Sequence, residues 1–104
     1  MENLTAADFA TVTATGKVVV EFYGAGCMNC QMMAPILGNL ESMFPEVRFY
    51  RLNADQSPAL LQKYQVTSIP TLLLFRHGQS LPAIVGVKPA GTLARLIDQT
   101  LNYA

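Results

Sequence analysis

The stretch Glu21-Phe22-Tyr23-Gly24-Ala25-Gly26-Cys27-Met28-Asn29-Cys30-Gln31-Met32-Met33 decides the fold, because within it an apolar strand gives way to a helical pattern. Val18-Val19-Val20, followed by Phe22 and Tyr23, is a β-branched and aromatic run of the kind a sheet buries on both faces. Gly24 and Gly26 punctuate its end. Beyond Cys30, the apolar residues Met33, Ile36, Leu37, Leu40, Met43 and Phe44 recur at three- and four-residue steps, which is one face of a helix. Cys27 therefore falls at the predicted helix N-terminus, where unpaired N–H groups and the positive end of the dipole favour an anion. A thiolate there has a lowered pKa and becomes a nucleophile near neutral pH. Cys30, one turn further on, lies on the same side and can close a disulfide with it.

These are the only two cysteines, and other readings of them stand beside redox chemistry. As small apolar residues they could simply fill a core. A Cys-x-x-Cys pair on a strand-to-helix turn is, however, the context a redox motif requires. A structural zinc site wants four ligands, and His77 is the only further Cys or His. Met28, Met32 and Met33 raise a soft-metal alternative, a Cu(I)-carrying module built on Cys27, Cys30 and thioethers. Against it, Met33 fits the core stripe of the helix, and Met32 is expected at the surface. An interaction domain without turnover is the remaining alternative.

Composition bounds the answer. One hundred and four residues suit one domain, residues 1–104, able to bury a core without staples. The hydrophobic share is 51% and the charged share 13%, a balance suited to a sheet covered on both sides. Seven basic residues cancel seven acidic ones, so neither a nucleic-acid nor a membrane-surface partner is indicated. No run approaches the ~18 apolar residues of a membrane span, and Met1-Glu2-Asn3-Leu4-Thr5 does not begin like a signal peptide. The expectation is a cytoplasmic, reducing compartment, where a cysteine pair is catalytic more often than structural. Nothing demands more than a monomer.

Read in order, the chain predicts a rudimentary strand near Leu4, then a short helix capped by Thr5 and running to about residue 14. A strand over 17–23 precedes the cysteine turn and its helix, which contains Pro35 and ends at Pro45. A second strand over 47–53 implies parallel pairing across the crossover. Ser57-Pro58 reads as a cap with proline at the first helical position. Residues 66–70 connect to a buried strand over 71–75, and His77-Gly78 turns into a strand over 80–85 whose Pro82 points to an edge. A helix over 89–101 closes the chain. The class is α/β, a mixed sheet of about four main strands with helices on both faces.

Glu21 stands out, because a carboxylate in a central apolar strand costs several kcal/mol unless it is paired or neutralised. Arg51, on the adjacent predicted strand, offers a partner.

Val18-Val19-Val20-Glu21-Phe22-Tyr23 before Cys27, Cys-x-x-Cys, Ala34-Pro35, Leu52-Asn53-Ala54-Asp55, Ile69-Pro70-Thr71, the 72–75 strand and Gly86 together resemble the thioredoxin family over nearly the whole chain. The resemblance implies the thioredoxin fold and dithiol–disulfide exchange through a redox-active Cys27–Cys30 disulfide with no bound cofactor. It also implies a cis peptide before Pro70, with Ile69 and Pro70 in a substrate groove. Tyr23, Gly26, Met28, Asn29 and Gly86 are expected around the same groove, and Glu21 as proton acceptor for Cys30. Implied partners are disulfide-containing proteins and a thioredoxin-reductase-like electron donor. The chain departs from the family pattern at Met28-Asn29, where Gly-Pro is typical, and at Gly26 and Tyr23, which replace tryptophans. Glu21 replaces an aspartate. Asn29 thereby adds a backbone N–H that proline lacks, expected within reach of the Cys27 sulfur.

Overall fold

The computed structural model describes residues 1–103. Five strands, β1 (Glu2–Asn3), β2 (Lys17–Tyr23), β3 (Val47–Asn53), β4 (Thr71–Arg76) and β5 (Gln79–Val85), form one sheet in the order β1-β3-β2-β4-β5. β3 pairs parallel with both β1 and β2, while β4 runs antiparallel to β2 and β5 to β4. The sheet is therefore mixed, with one more strand than the main four expected. The extra one is the two-residue β1, held at the edge and followed by a bond from Leu4 N–H to the Arg51 carbonyl at 2.7 Å.

β2 is the central strand, and its alternation distributes the core. Val18, Val20 and Phe22 join Leu4, Phe9, Leu52, Leu73 and Phe75 on one face. Val19 joins Phe49, Leu72, Leu74 and Ile84 on the other, beneath Met33, Leu37 and Leu40 of α2 (Met28–Met43) and Leu93, Ile97 and Leu101 of α4 (Ala90–Asn102). The first face is covered by α1 (Phe9–Thr13) and by the half-buried Leu60 and Leu61 of α3 (Pro58–Lys63). Phe9 anchors that layer, with its ring 5.6 Å from Phe75 and 5.5 Å from Tyr64. Truncating such a ring to alanine costs roughly 3–5 kcal/mol.

Two local expectations are corrected. The single helix expected from Thr5 is split: Thr5 Oγ1 accepts from the Asp8 N–H at 3.3 Å and closes a tight 3₁₀ turn (Ala6–Asp8) before α1 begins. Ser57 stands at the N-cap position of α3, but its side chain makes no capping bond. Its ψ of 51° departs from the extended backbone that aims a cap oxygen at the second and third helical N–H groups. Elsewhere the readings hold. α2 runs through Pro35 and stops just before Pro45, and β5, with Pro82, is an edge strand. His77 and Gly78 both turn with positive φ.

Candidate active site

The cysteine turn follows from where β2 ends. Cys27, with extended φ −89° and ψ 104°, is the N-cap of α2. It is half-buried, whereas Cys30 is 1% exposed. The two form a disulfide with their Cα atoms 5.2 Å apart. Cys27 Sγ also accepts a hydrogen bond from the Cys30 N–H at 3.1 Å. This corrects the expectation for Asn29: the amide that reaches the sulfur is the third of the helix, not the second. A cap acceptor can serve either position, and here the sulfur takes the third. Asn29 itself is exposed, as are Gly26 and Met28.

Glu21 lies opposite Arg51 in the β2–β3 register, and Arg51 Nε donates to its Oε1 at 3.0 Å. The carboxyl is fully buried, and Oε2 has no hydrogen-bond partner among the described residues. Burial pushes the Glu21 carboxyl above its ordinary range, and the bond to Arg51 and its charge pull back against that without overcoming it. Two residues from Val19 along β2, Glu21 shares the sheet face that α2 covers, and α2 carries Cys30. Arg51 also stacks on Tyr23, with Cζ 4.0 Å from the ring centroid. The Tyr23 ring is thus packed against this guanidinium.

The loop before β4 joins the cysteine turn through a close approach that the sequence did not announce. The peptide Ile69-Pro70 is cis, as the family resemblance implied. Ile69 Cδ1 lies 2.6 Å from the point where a Cβ on Gly24 would stand, so the side chain rests on the Gly24 backbone three residues before Cys27. A Cβ there would press on that methyl and force it to move. Pro70 is buried, and its carbonyl accepts from the Gly86 N–H at 2.9 Å. Gly86, at φ 86°, adopts a conformation that other residues rarely take. Gly86 therefore fixes Pro70 from behind, and neither the N–H nor the C=O of Ile69 is bonded to another backbone group among the described residues.

The methionines separate. Met28 and Met32 are 70% and 58% exposed, while Met33 is buried in the core between α2 and the sheet. No group of three or more His, Cys, Asp or Glu able to hold a metal is found among the described residues. No helix there is long and apolar enough to cross a membrane.

A disulfide at the N-cap of a helix that follows the central strand, beside a cis-proline loop, defines a dithiol–disulfide exchange protein. The thioredoxin family model matches residues 1–99, and the chain belongs to the thioredoxin family. It is 38% identical to a thioredoxin of Chlamydia caviae over 96 residues, 92% of this chain and 94% of the relative. It is 39% identical to thioredoxin-1 of Saccharomyces cerevisiae over 87 residues, 83% of this chain and 84% of that one. The solved structure of oxidised mitochondrial thioredoxin 3 from S. cerevisiae superposes with a TM-score of 0.87 at 31% identity, covering 95% of this chain and 94% of that one. The protein is a thiol–disulfide oxidoreductase using the Cys27/Cys30 couple, and the soft-metal alternative is not favoured. Membership implies, in general terms, disulfide-containing substrates and a reductase partner.

Proposed function

We propose that the protein reduces protein disulfides, with Cys27 as the attacking thiol and Cys30 as the resolving one. The observation that carries this reading is the asymmetry of the pair: Cys27 is half-buried at a helix cap, and Cys30 is enclosed. Cys27 thiolate attacks one sulfur of the substrate disulfide, forming a mixed disulfide and expelling the other sulfur as a thiolate. Cys30 passes its proton toward Glu21, and its sulfur attacks Cys27. The second substrate thiolate leaves, and the Cys27–Cys30 disulfide remains. Substrate gains two electrons and the couple loses two.

The raised pKa of Glu21 makes its carboxylate a stronger proton acceptor than an ordinary glutamate. Ile69, with backbone groups free for a substrate segment, and Pro70, held by Gly86, would form one wall of the groove. Exposed Gly26, Met28 and Asn29 would form the other, with Tyr23 flanking the Glu21–Arg51 pair. A thioredoxin-reductase-like donor would restore the dithiol, with no bound cofactor needed. The protein would act as a monomer in the cytoplasm, where reduced partners are maintained.

Insulin reduction by dithiothreitol tests the reading. The protein should accelerate precipitation of the insulin chains, and Cys27→Ser should abolish the acceleration. A rate no faster than dithiothreitol alone would overturn it.

A further inference from the structure

A cavity of about 390 Å³ opens beside the Glu21–Arg51 pair, at the end of β2 and β3 where Tyr23 and Asn53 leave the sheet. It is lined by Arg51, Tyr23, Asn53, Ser57, Asn3 and Thr5, among others, and among the described residues no carboxylate lies in its wall. Its volume falls in the range of small-molecule sites.

Three of its groups are unspent donors. Arg51 uses Nε on Glu21, and among the described residues Nη1 and Nη2 carry no hydrogen bond. Its plane is fixed by the Tyr23 ring at 4.0 Å, which orients the fork before any ligand arrives. Asn53 Oδ1 accepts from the Asp55 N–H at 2.9 Å, which leaves Nδ2 to donate elsewhere. Ser57 is the sharpest of the three. It is only 3% exposed, it lines the cavity, and its hydroxyl neither caps α3 nor bonds any other described group. Its Oγ is not among the sealed, unpartnered polar atoms of the fold, so it is open to the cavity. A ligand that accepts from all three would engage donors that the described residues leave unused.

We infer that this cavity is a binding site for a phosphate group, free or carried by a small monoester. The fork of Arg51 matches two oxygens of a phosphate. Asn53 Nδ2 and Ser57 Oγ supply neutral donors for the others, and the uncharged remainder of the cavity leaves room for a small substituent. Thr5 does not add to this count, because its hydroxyl is already bonded to Asp8. Because Arg51 holds Glu21 with one edge and would hold the ligand with another, the site adjoins Glu21 through one shared guanidinium.

The test is a titration of the oxidised, full-length protein with inorganic phosphate and, separately, phenyl phosphate. Amide chemical shifts are followed against a chloride control of equal ionic strength. Saturable shifts centred on Tyr23, Asn53 and Ser57 are expected with one or both probes. Response to both indicates the phosphate group alone, and response only to the monoester indicates that the substituent is needed. Ser57→Ala breaks no hydrogen bond of the fold and should weaken binding by roughly tenfold, the loss expected for one bond to a charged group. Arg51→Met should weaken it further. No saturable shift with either probe overturns the inference. So does binding that Ser57→Ala leaves unchanged, or shifts clustered instead at surface cations such as Lys17, Arg48 and Lys88.

Discussion

Arg51 Nε meets Glu21 Oε1 at 3.0 Å and leaves Oε2 of the same buried carboxyl with no partner among the described residues. One hydrogen bond from a partly exposed guanidinium does not offset the desolvation of a fully buried carboxylate, so the carboxyl stays raised above 4.5. The native state then retains a proton that the unfolded chain has already released. Between the two pKa values the native state binds more protons, so stability falls as pH rises and levels off once Glu21 ionises in the fold. The decline can reach about 1.4 kcal/mol per pH unit in that window. Urea midpoints measured from pH 4 upward should show this slope in the wild type and lose it in Glu21→Gln. Arg51→Met removes both influences that lower the pKa and should move the plateau to higher pH. A Gln variant with the wild-type slope would assign the decline to another group.

The same carboxyl bears on turnover. Glu21→Gln keeps the shape of the side chain but cannot take a proton from Cys30. Resolution of a preformed mixed disulfide, followed by stopped flow between pH 6 and 8, should slow by about a hundredfold or more, within the usual contribution of a general base. Attack by Cys27 should be little affected. Equal slowing of both steps would indicate a distorted site rather than a lost base.

The contact between Ile69 and Gly24 gives a third expectation. A Cβ at position 24 would meet Ile69 Cδ1 at 2.6 Å, and a terminal methyl can yield by rotating. Gly24→Ala should therefore cost no more than about 1–3 kcal/mol of stability, as mild overpacking does. Its larger effect falls on the loop before Pro70. Reduction of insulin should decline, while reduction of a small disulfide that needs no groove wall should persist. Loss of both in proportion would show that Ile69 takes no part in substrate docking.

Much of this was legible in the sequence because it rests on period and spacing. The β2 run, the α2 stripe and the Pro82 edge strand depend on side-chain alternation, which is local. The Glu21–Arg51 pair was legible because two odd residues stood at matching places in neighbouring strands. What escaped depends on torsion angles and on approach between distant segments. Ser57 has a cap's sequence but not its ψ. Gly24 read as punctuation, and its role as a seat for Ile69, far along the chain, carries no local signal. The donor to Cys27 Sγ turned on a choice between two successive amides.

That choice yields a prediction for Asn29. Proline there removes an N–H that has no acceptor within the helix, since the first-turn amides are unpaired by construction. It leaves the Cys30 N–H that reaches the sulfur at 3.1 Å. Alkylation of reduced Cys27 by iodoacetamide at pH 7 should therefore change by well under tenfold in Asn29→Pro. Losing a bond to a charged group, roughly 1.5–3 kcal/mol, would change it by tenfold or more. A change of that size would show that the Asn29 amide takes over once the disulfide opens.

The last expectation concerns the division of labour between the cysteines. Cys27 sits at the cap, half-buried, with the Cys30 amide aimed at its sulfur. Cys30 is 1% exposed and lies within α2. A protein disulfide can approach the first sulfur along the axis of the helix, where the dipole and the amide both favour negative charge. It cannot approach the second without unfolding the first turn. Cys30→Ser should therefore accumulate a stable mixed disulfide with a protein substrate, visible as a mass shift that a reductant reverses. Cys27→Ser should form little or none, because its remaining thiol is enclosed. Comparable trapping by both variants would mean that the turn opens readily enough to expose Cys30, and the burial asymmetry would then not set the order of attack.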